Sequence, residues 1–127
     1  MAGKNVFKLD EIFAALADRT RLRLLNLMRD GEVCVCFFAE TLGTNNPKIS
    51  RHLAYLKRAG LVNSRREGKW VHYSLRKPEN EGAAAIVETA LKAFEADAEM
   101  LSDREKLTSV CCELMPTPVA ISRAGRK

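Results

Sequence analysis

Apolar residues at Leu9, Ile12, Phe13 and Leu16 recur at i, i+3, i+4 and i+7, which predicts a helix from Lys8 to Ala17. Asp18 reads as the N-cap of a second helix, Arg19 to Arg29, which turns Leu22, Leu25 and Met28 inward and stops at Asp30-Gly31. A shorter helix is expected from about Val33 to Leu42, closed by Gly43. The stretch Thr44 to Pro47 is a turn. In it Asn46 can cap, and Pro47 suits the first position of a helix that runs to Ala59 and buries Ile49, Leu53 and Leu56. The period then changes to two. Leu61 to Arg66 and Trp70 to Leu75 flank Glu67-Gly68-Lys69, and Val71, Tyr73 and Leu75 alternate with Trp70, His72 and Ser74, which predicts a β-hairpin with a basic tip. Beyond Pro78, one long helix carries a stripe of Ala83, Val87, Ala90, Phe94, Ala98 and Leu101. A core of this size offers that stripe no partner, so a second copy of the helix is the simplest one. Ser102-Asp103 reads as another cap, opening a short segment that holds Cys111 and Cys112.

The expected fold is mainly α with a small β component. It is a winged helix-turn-helix with a β-hairpin wing and N- and C-terminal dimerisation helices. Residues 1–115 form the DNA-binding and dimerisation domain. Residues 116–127, rich in Pro, Ser, Gly and basic residues, form a flexible tail. No segment reaches the ~18 apolar residues of a membrane helix, and the first residues lack the apolar stretch of a secretory signal. The expected compartment is the cytoplasm, where the four cysteines stay reduced. Neither a phosphate loop, nor a nucleophile elbow, nor a His-Glu metalloprotease cluster is present, so an enzyme is not expected.

The net charge of +5 matters less than its distribution. Residues 48–77 hold nine basic residues and one acid, whereas residues 78–113 hold nine acids and three bases. A basic middle beside an acidic segment is the footprint of a nucleic-acid surface on one side. With Ile49, Leu53 and Leu56 inward, Lys48, Ser50, Arg51, His52 and Tyr55 fall on the outer or flanking faces of the second helix of the pair. Arg suits a guanine edge; Lys, Ser and Tyr suit phosphates. Arg65, Arg66 and Lys69 near the hairpin tip can reach phosphate or the minor groove. The expected partner is double-stranded operator DNA.

The run SRHLAYLKRAGLVNSRREGKWVHYSL (50–75), preceded by ALADRTRLRLLNLM (15–28), resembles the ArsR/SmtB family of metal-sensing bacterial repressors. The segment EVCVCFFAETLG (32–43) is similar to the Cys-Val-Cys box of that family's arsenic-responsive branch. The resemblance covers roughly residues 8 to 76. It implies a homodimer that sits on an imperfect palindrome, blocks transcription, and leaves the operator when an inducer binds. No resident cofactor is required. The implied inducer is As(III) or Sb(III) bound by thiolates, with a methylated trivalent arsenical as a further option.

Cys34 and Cys36 are the first candidate ligands. On a regular helix, residues i and i+2 point about 200° apart, so two sulfurs grip one ion only if the helix unwinds locally. Chelation would then favour a distorted helix that no longer presents residues 47–59 to DNA. Some members of the family carry a third cysteine three residues after the second; this chain has Ala39. Cys111 or Cys112 could supply the missing sulfur, from the same or the other subunit, or that vicinal pair could be the main site. Zinc fits less well. Cysteines at i, i+2 match no common structural spacing. Zinc-sensing relatives carry carboxylates and histidine on the C-terminal helix; here Glu88, Glu95, Asp97 and Glu99 stand without a histidine. A thiol redox switch on the same fold is the alternative.

Overall fold

The first two helices meet at Asp18, whose extended backbone ends one and whose carboxylate accepts from the Arg21 amide to start the other. They are α1 (Leu9–Leu16) and α2 (Arg19–Leu27). The computed structural model describes residues 8–114, with side chains to residue 110. After a glycine turn at Gly31 (φ +145°), the chain forms a two-residue strand, β1 (Val33–Cys34), and then α3 (Val35–Leu42). Gly43 at φ +67° closes α3 in the left-handed region, and the Thr44 amide returns to the Ala39 carbonyl. Helix α4 (Asn46–Arg58) buries Ile49, Leu53 and Leu56 completely. Its cap is Asn45, one residue earlier than expected, because the Asn45 side chain accepts from the Lys48 amide at 3.0 Å.

Strands β2 (Val62–Glu67) and β3 (Trp70–Leu75) form the hairpin, joined through Gly68 and Lys69. Gly68 takes φ +61°, so a left-handed residue leads the two-residue connection. The sheet has a third member that was not expected. β1 pairs antiparallel with β3, placing Val33 opposite Tyr73 and Cys34 opposite His72, in the order β1-β3-β2.

The C-terminal half departs most from expectation. The single long helix is two, α5 (Glu81–Phe94) and α6 (Ala98–Leu114). Asp97 makes the break: its carboxylate accepts from the Met100 amide at 3.1 Å and starts α6. Ser102 and Asp103 lie inside α6 and cap nothing. The apolar stripe also finds cover within its own chain. Ala83, Val87 and Phe94 are buried, as are Met100, Leu107 and Val110 further on, while Ala98 and Leu101 stay exposed. The unpartnered stripe is therefore not what calls for a second copy. Cys111 and Cys112 fall in the last turn of α6, with side chains outside the described residues, as is the 116–127 tail.

Polar contacts fix α6 against α2. The Asn26 side-chain amide, 1% exposed, donates to the Met100 carbonyl at 2.9 Å. Arg23 forks onto Asp103 at 2.7 and 2.9 Å, with Asp103 only 5% exposed. Arg19 reaches Asp97 and Glu99, and Arg29 reaches Glu95 and the Leu91 carbonyl. The acidic segment thus pairs with Arg19 and Arg23 of α2 and with Arg29 just beyond it. Removing the buried carboxylate leaves Arg23 only its longer contact to Glu99 at 3.5 Å, so Asp103→Ala should lower stability by about 1–3 kcal/mol. Urea unfolding followed by circular dichroism reads this as an earlier midpoint at constant slope. An unchanged midpoint would show that the fork does not secure α6.

Candidate nucleic-acid interface and thiol site

Helix α4 exposes one face because its three apolar residues all point the other way. Lys48, Ser50 and Arg51 lie on that exposed face, joined by Lys57 and Arg58. His52 and Tyr55 are half-buried and turn toward α2. Arg21 there donates to the Ala14 and Ala15 carbonyls, approaches His52 Nδ1 at 3.4 Å, and stacks over the Tyr55 ring at 4.0 Å. These two residues lock α4 to the α1–α2 corner. On the wing, Arg66 and Lys69 are exposed, and Lys69 Nζ lies 5.7 Å from the Trp70 ring. Arg65 is engaged: it forks onto Glu32 at 2.7 Å on both contacts and reaches Glu67 at 3.5 Å. Glu32 precedes β1, so this fork ties the wing to the cysteine segment. Lys57 Nζ meets Ser64 Oγ at 2.6 Å and bridges α4 to β2.

The cysteines do not share a helix. Cys34 is the last residue of β1 and the N-terminal flank of α3, in extended conformation (φ −75°, ψ 146°). Cys36 lies in the first turn of α3. The change from strand to helix between them cancels the opposition that a continuous helix would impose, and brings the sulfurs to 3.5 Å. No unwinding is needed, because the β1–β3 pairing holds Cys34 extended. Both are free thiols, Cys34 buried and Cys36 half-buried. Two sulfurs 3.5 Å apart, each at about 2.3 Å from one atom, subtend roughly 100° there, close to the angle of a pyramidal three-coordinate centre. Among the described residues, no group of three or more His, Cys, Asp or Glu is placed to hold a metal ion. Ala39 is buried in the core.

Beside the thiols opens a cleft of about 310 Å³. Cys34 and Cys36 meet Asn46 and Ser50 of α4 there, and Trp70 and Tyr73 of β3. The cleft thus lies where recognition helix, wing and thiols converge. Sequence reasoning missed Asn46, Trp70 and Tyr73 as residues of this site. An aromatic next to Lys69 at the hairpin tip was the one available signal. A larger hollow of about 400 Å³, between the Asp30–Val33 turn and α6, holds neither cysteine.

Helix, tight turn, helix and basic hairpin define a winged helix-turn-helix DNA-binding protein. Residues 18–64 match the bacterial regulatory protein family arsR. The chain is 46% identical over 81 residues to the arsenical resistance operon repressor of Escherichia coli, covering 63% of this chain and 69% of that one. It is 38% identical over 110 residues to the arsenic resistance transcriptional regulator ArsR1 of Pseudomonas putida, covering 86% and 84%. Among solved structures, HlyU from Vibrio cholerae superposes with a TM-score of 0.60 at 31% identity, covering 73% of this chain and 98% of that one. The chain belongs to the arsR family; it is a DNA-binding transcriptional repressor and not an enzyme. No helix among the described residues is long and apolar enough to cross a membrane.

The Cys36 thiol is pushed up to about 12, first by burial and then by the hydrogen bond it donates to Cys34. Only thiolate alkylates, so iodoacetamide should label Cys36 slowly at neutral pH and about tenfold faster per pH unit from ~8 to ~10. Peptide mapping by mass spectrometry follows the site. A labelling rate that levels off near pH 9 would contradict the raised value.

Proposed function

We propose that this repressor senses trivalent arsenic or antimony: it holds operator DNA as a homodimer and leaves it when Cys34 and Cys36 bind the inducer together. The carrying observation is the free thiol pair, 3.5 Å apart, on the segment that joins the wing to α3. Soft sulfur favours a soft thiophile. Arsenous acid condenses with two thiols so that two As–S bonds form, two As–O bonds break, and the thiol protons leave in two waters. No redox change occurs and no proton is left over. A divalent cation would instead have to expel both thiol protons into solvent, which a raised Cys36 opposes. The same protonation disfavours oxidation, which needs thiolate, and so weighs against the redox alternative.

On DNA, Lys48, Ser50, Arg51, Arg66 and Lys69 make the contacts, with Arg51 reading a base edge and the others holding phosphates. Arg65 joins them only if it leaves Glu32. The dimer is supported by exposed apolar residues at Leu9 and Phe13 on α1 (45% and 50%) and Leu101 on α6 (43%), which a second copy would cover. Ligation acts through β1: the bound atom and its third substituent enter the cleft between the sulfurs and α4, and making room for them shifts Cys34, and with it β3 and the wing, relative to α4. About 1–3 kcal/mol of such coupling weakens DNA binding 5- to 150-fold. Cys111 and Cys112 remain candidates for a third sulfur.

Fluorescence anisotropy on a duplex selected from a random library tests this reading. Arsenite should release the reduced wild type, while Cys34→Ser/Cys36→Ser should bind DNA and stay bound. Release by peroxide or zinc alone would contradict the sensor reading, and release of the double variant by arsenite would move the site to Cys111-Cys112. Separately, Arg51→Ala should weaken DNA binding by about 1–3 kcal/mol and leave arsenite binding intact; unchanged affinity would contradict the placement of α4 on DNA.

A further inference from the structure

Resting on the placement of α4 and the wing on DNA given above, we infer that the thiol cleft is itself part of the DNA-binding surface. It seats one sugar-phosphate unit of the strand that passes between recognition helix and wing, so a DNA-bound repressor is closed to anything that reacts with or binds to its thiols. An element in the major groove and a second in the adjacent minor groove straddle the backbone strand that separates those grooves. The first element is α4, with Lys48, Ser50 and Arg51 exposed, and the second is the hairpin tip, with Arg66 and Lys69 exposed. The strand between them crosses whatever lies between α4 and the tip. The cleft lies there: Asn46 and Ser50 form its α4 side, Lys69 and Trp70 its wing side, and Cys34 and Cys36 line it between them.

The walls suit a sugar-phosphate unit. No carboxylate is among the described residues lining the cleft, whereas the hollow beside α6 is lined by Asp30, Glu32 and Glu105. Asn46 and Ser50 carry amide and hydroxyl donors and Lys69 a positive charge, the groups that hold phosphate oxygens. Trp70, 41% exposed, has its ring 5.7 Å from Lys69 Nζ, which sets apolar surface for a deoxyribose beside an ammonium for its phosphate. The volume of about 310 Å³, roughly ten water volumes, admits such a unit. Cys36 is half-buried and Cys34 buried, so a strand lying across the cleft covers the side from which the sulfurs are approached. Exclusion runs both ways. An occupant bonded to the sulfurs takes the space of the sugar-phosphate unit, in addition to shifting the wing.

The test follows the labelling of Cys36 by iodoacetamide at pH 9 in the reduced full chain, mapped by mass spectrometry, as duplex is added. With free duplex at about ten times its Kd the rate should fall roughly tenfold, and it should keep falling in step with the unbound fraction as duplex is raised. Trp70 is the sole tryptophan, and its emission should change when an unlabelled duplex binds. In stopped-flow anisotropy, arsenite at any concentration should free a fluorescein-labelled duplex no faster than excess unlabelled duplex does, because the thiols open only after DNA leaves. Labelling that ignores duplex or settles at a plateau, Trp70 emission unmoved by duplex, or a dissociation rate that climbs with arsenite would each overturn the shared cleft. The failures separate cleanly. Unweakened DNA binding by Arg51→Ala removes the placement of α4 and this inference with it. Absence of release by arsenite removes the sensor reading alone, and the labelling and emission measurements still decide the cleft.

Discussion

A two-residue strand holds the functional part of this molecule together. Val33 and Cys34 are too few to be stable alone, and only the ladder to His72 and Tyr73 keeps them extended. That pairing has three effects at once. It adds the cysteine segment to the wing sheet, it forces the chain to switch from strand to helix between Cys34 and Val35, and the switch turns two side chains that would diverge on a helix toward each other. The Glu32–Arg65 fork then fastens the same segment to the other strand of the wing. A disturbance at the sulfurs therefore reaches the wing through one layer of backbone pairing, without crossing the core.

Electrostatics divides the molecule in two. Arginines in and just after α2 pair with the acids of the C-terminal half: Arg19 with Asp97 and Glu99, Arg23 with Asp103 and Glu99, and Arg29, beyond the helix end, with Glu95. Arg19 also holds the Asp97 carboxyl below its ordinary range, ahead of the Met100 amide in effect. Lys48, Arg51, Arg58, Arg66 and Lys69 face solvent on α4 and the wing. In the proposed complex a phosphate backbone meets this positive surface, long-range attraction supplies affinity and Arg51 supplies choice of base.

Much of the fold was legible because its signals are local. Asp18, Gly43, Pro47 and the alternation from Trp70 to Leu75 each impose their conformation through neighbouring atoms, and the expected helices and hairpin stand where those residues put them. The misses share the opposite cause. Val33-Cys34 has helical neighbours in sequence and strand neighbours only in space, so β1 was assigned to α3. Asp97 sits inside an apolar periodicity that runs through it, so the break between α5 and α6 was hidden, and Asp103 resembled a cap because its partner, Arg23, is eighty residues away. For Cys34 and Cys36, helical spacing sets the two sulfurs apart, whereas the strand-to-helix switch brings them to 3.5 Å. Spacing puts His52 and Tyr55 on the outer or flanking faces, and Arg21 draws both toward α2.

In the proposed sensor the signal leaves the thiols through β1 and enters the wing through β3. Amide hydrogen exchange on the reduced protein, with and without arsenite, measures this directly. Faster exchange is expected at His72, Tyr73 and their partners in β2 on arsenite addition, with the buried interior of α4 around Leu53 unchanged. Unchanged protection across the wing, with loosening confined to α3 and α4, would contradict it.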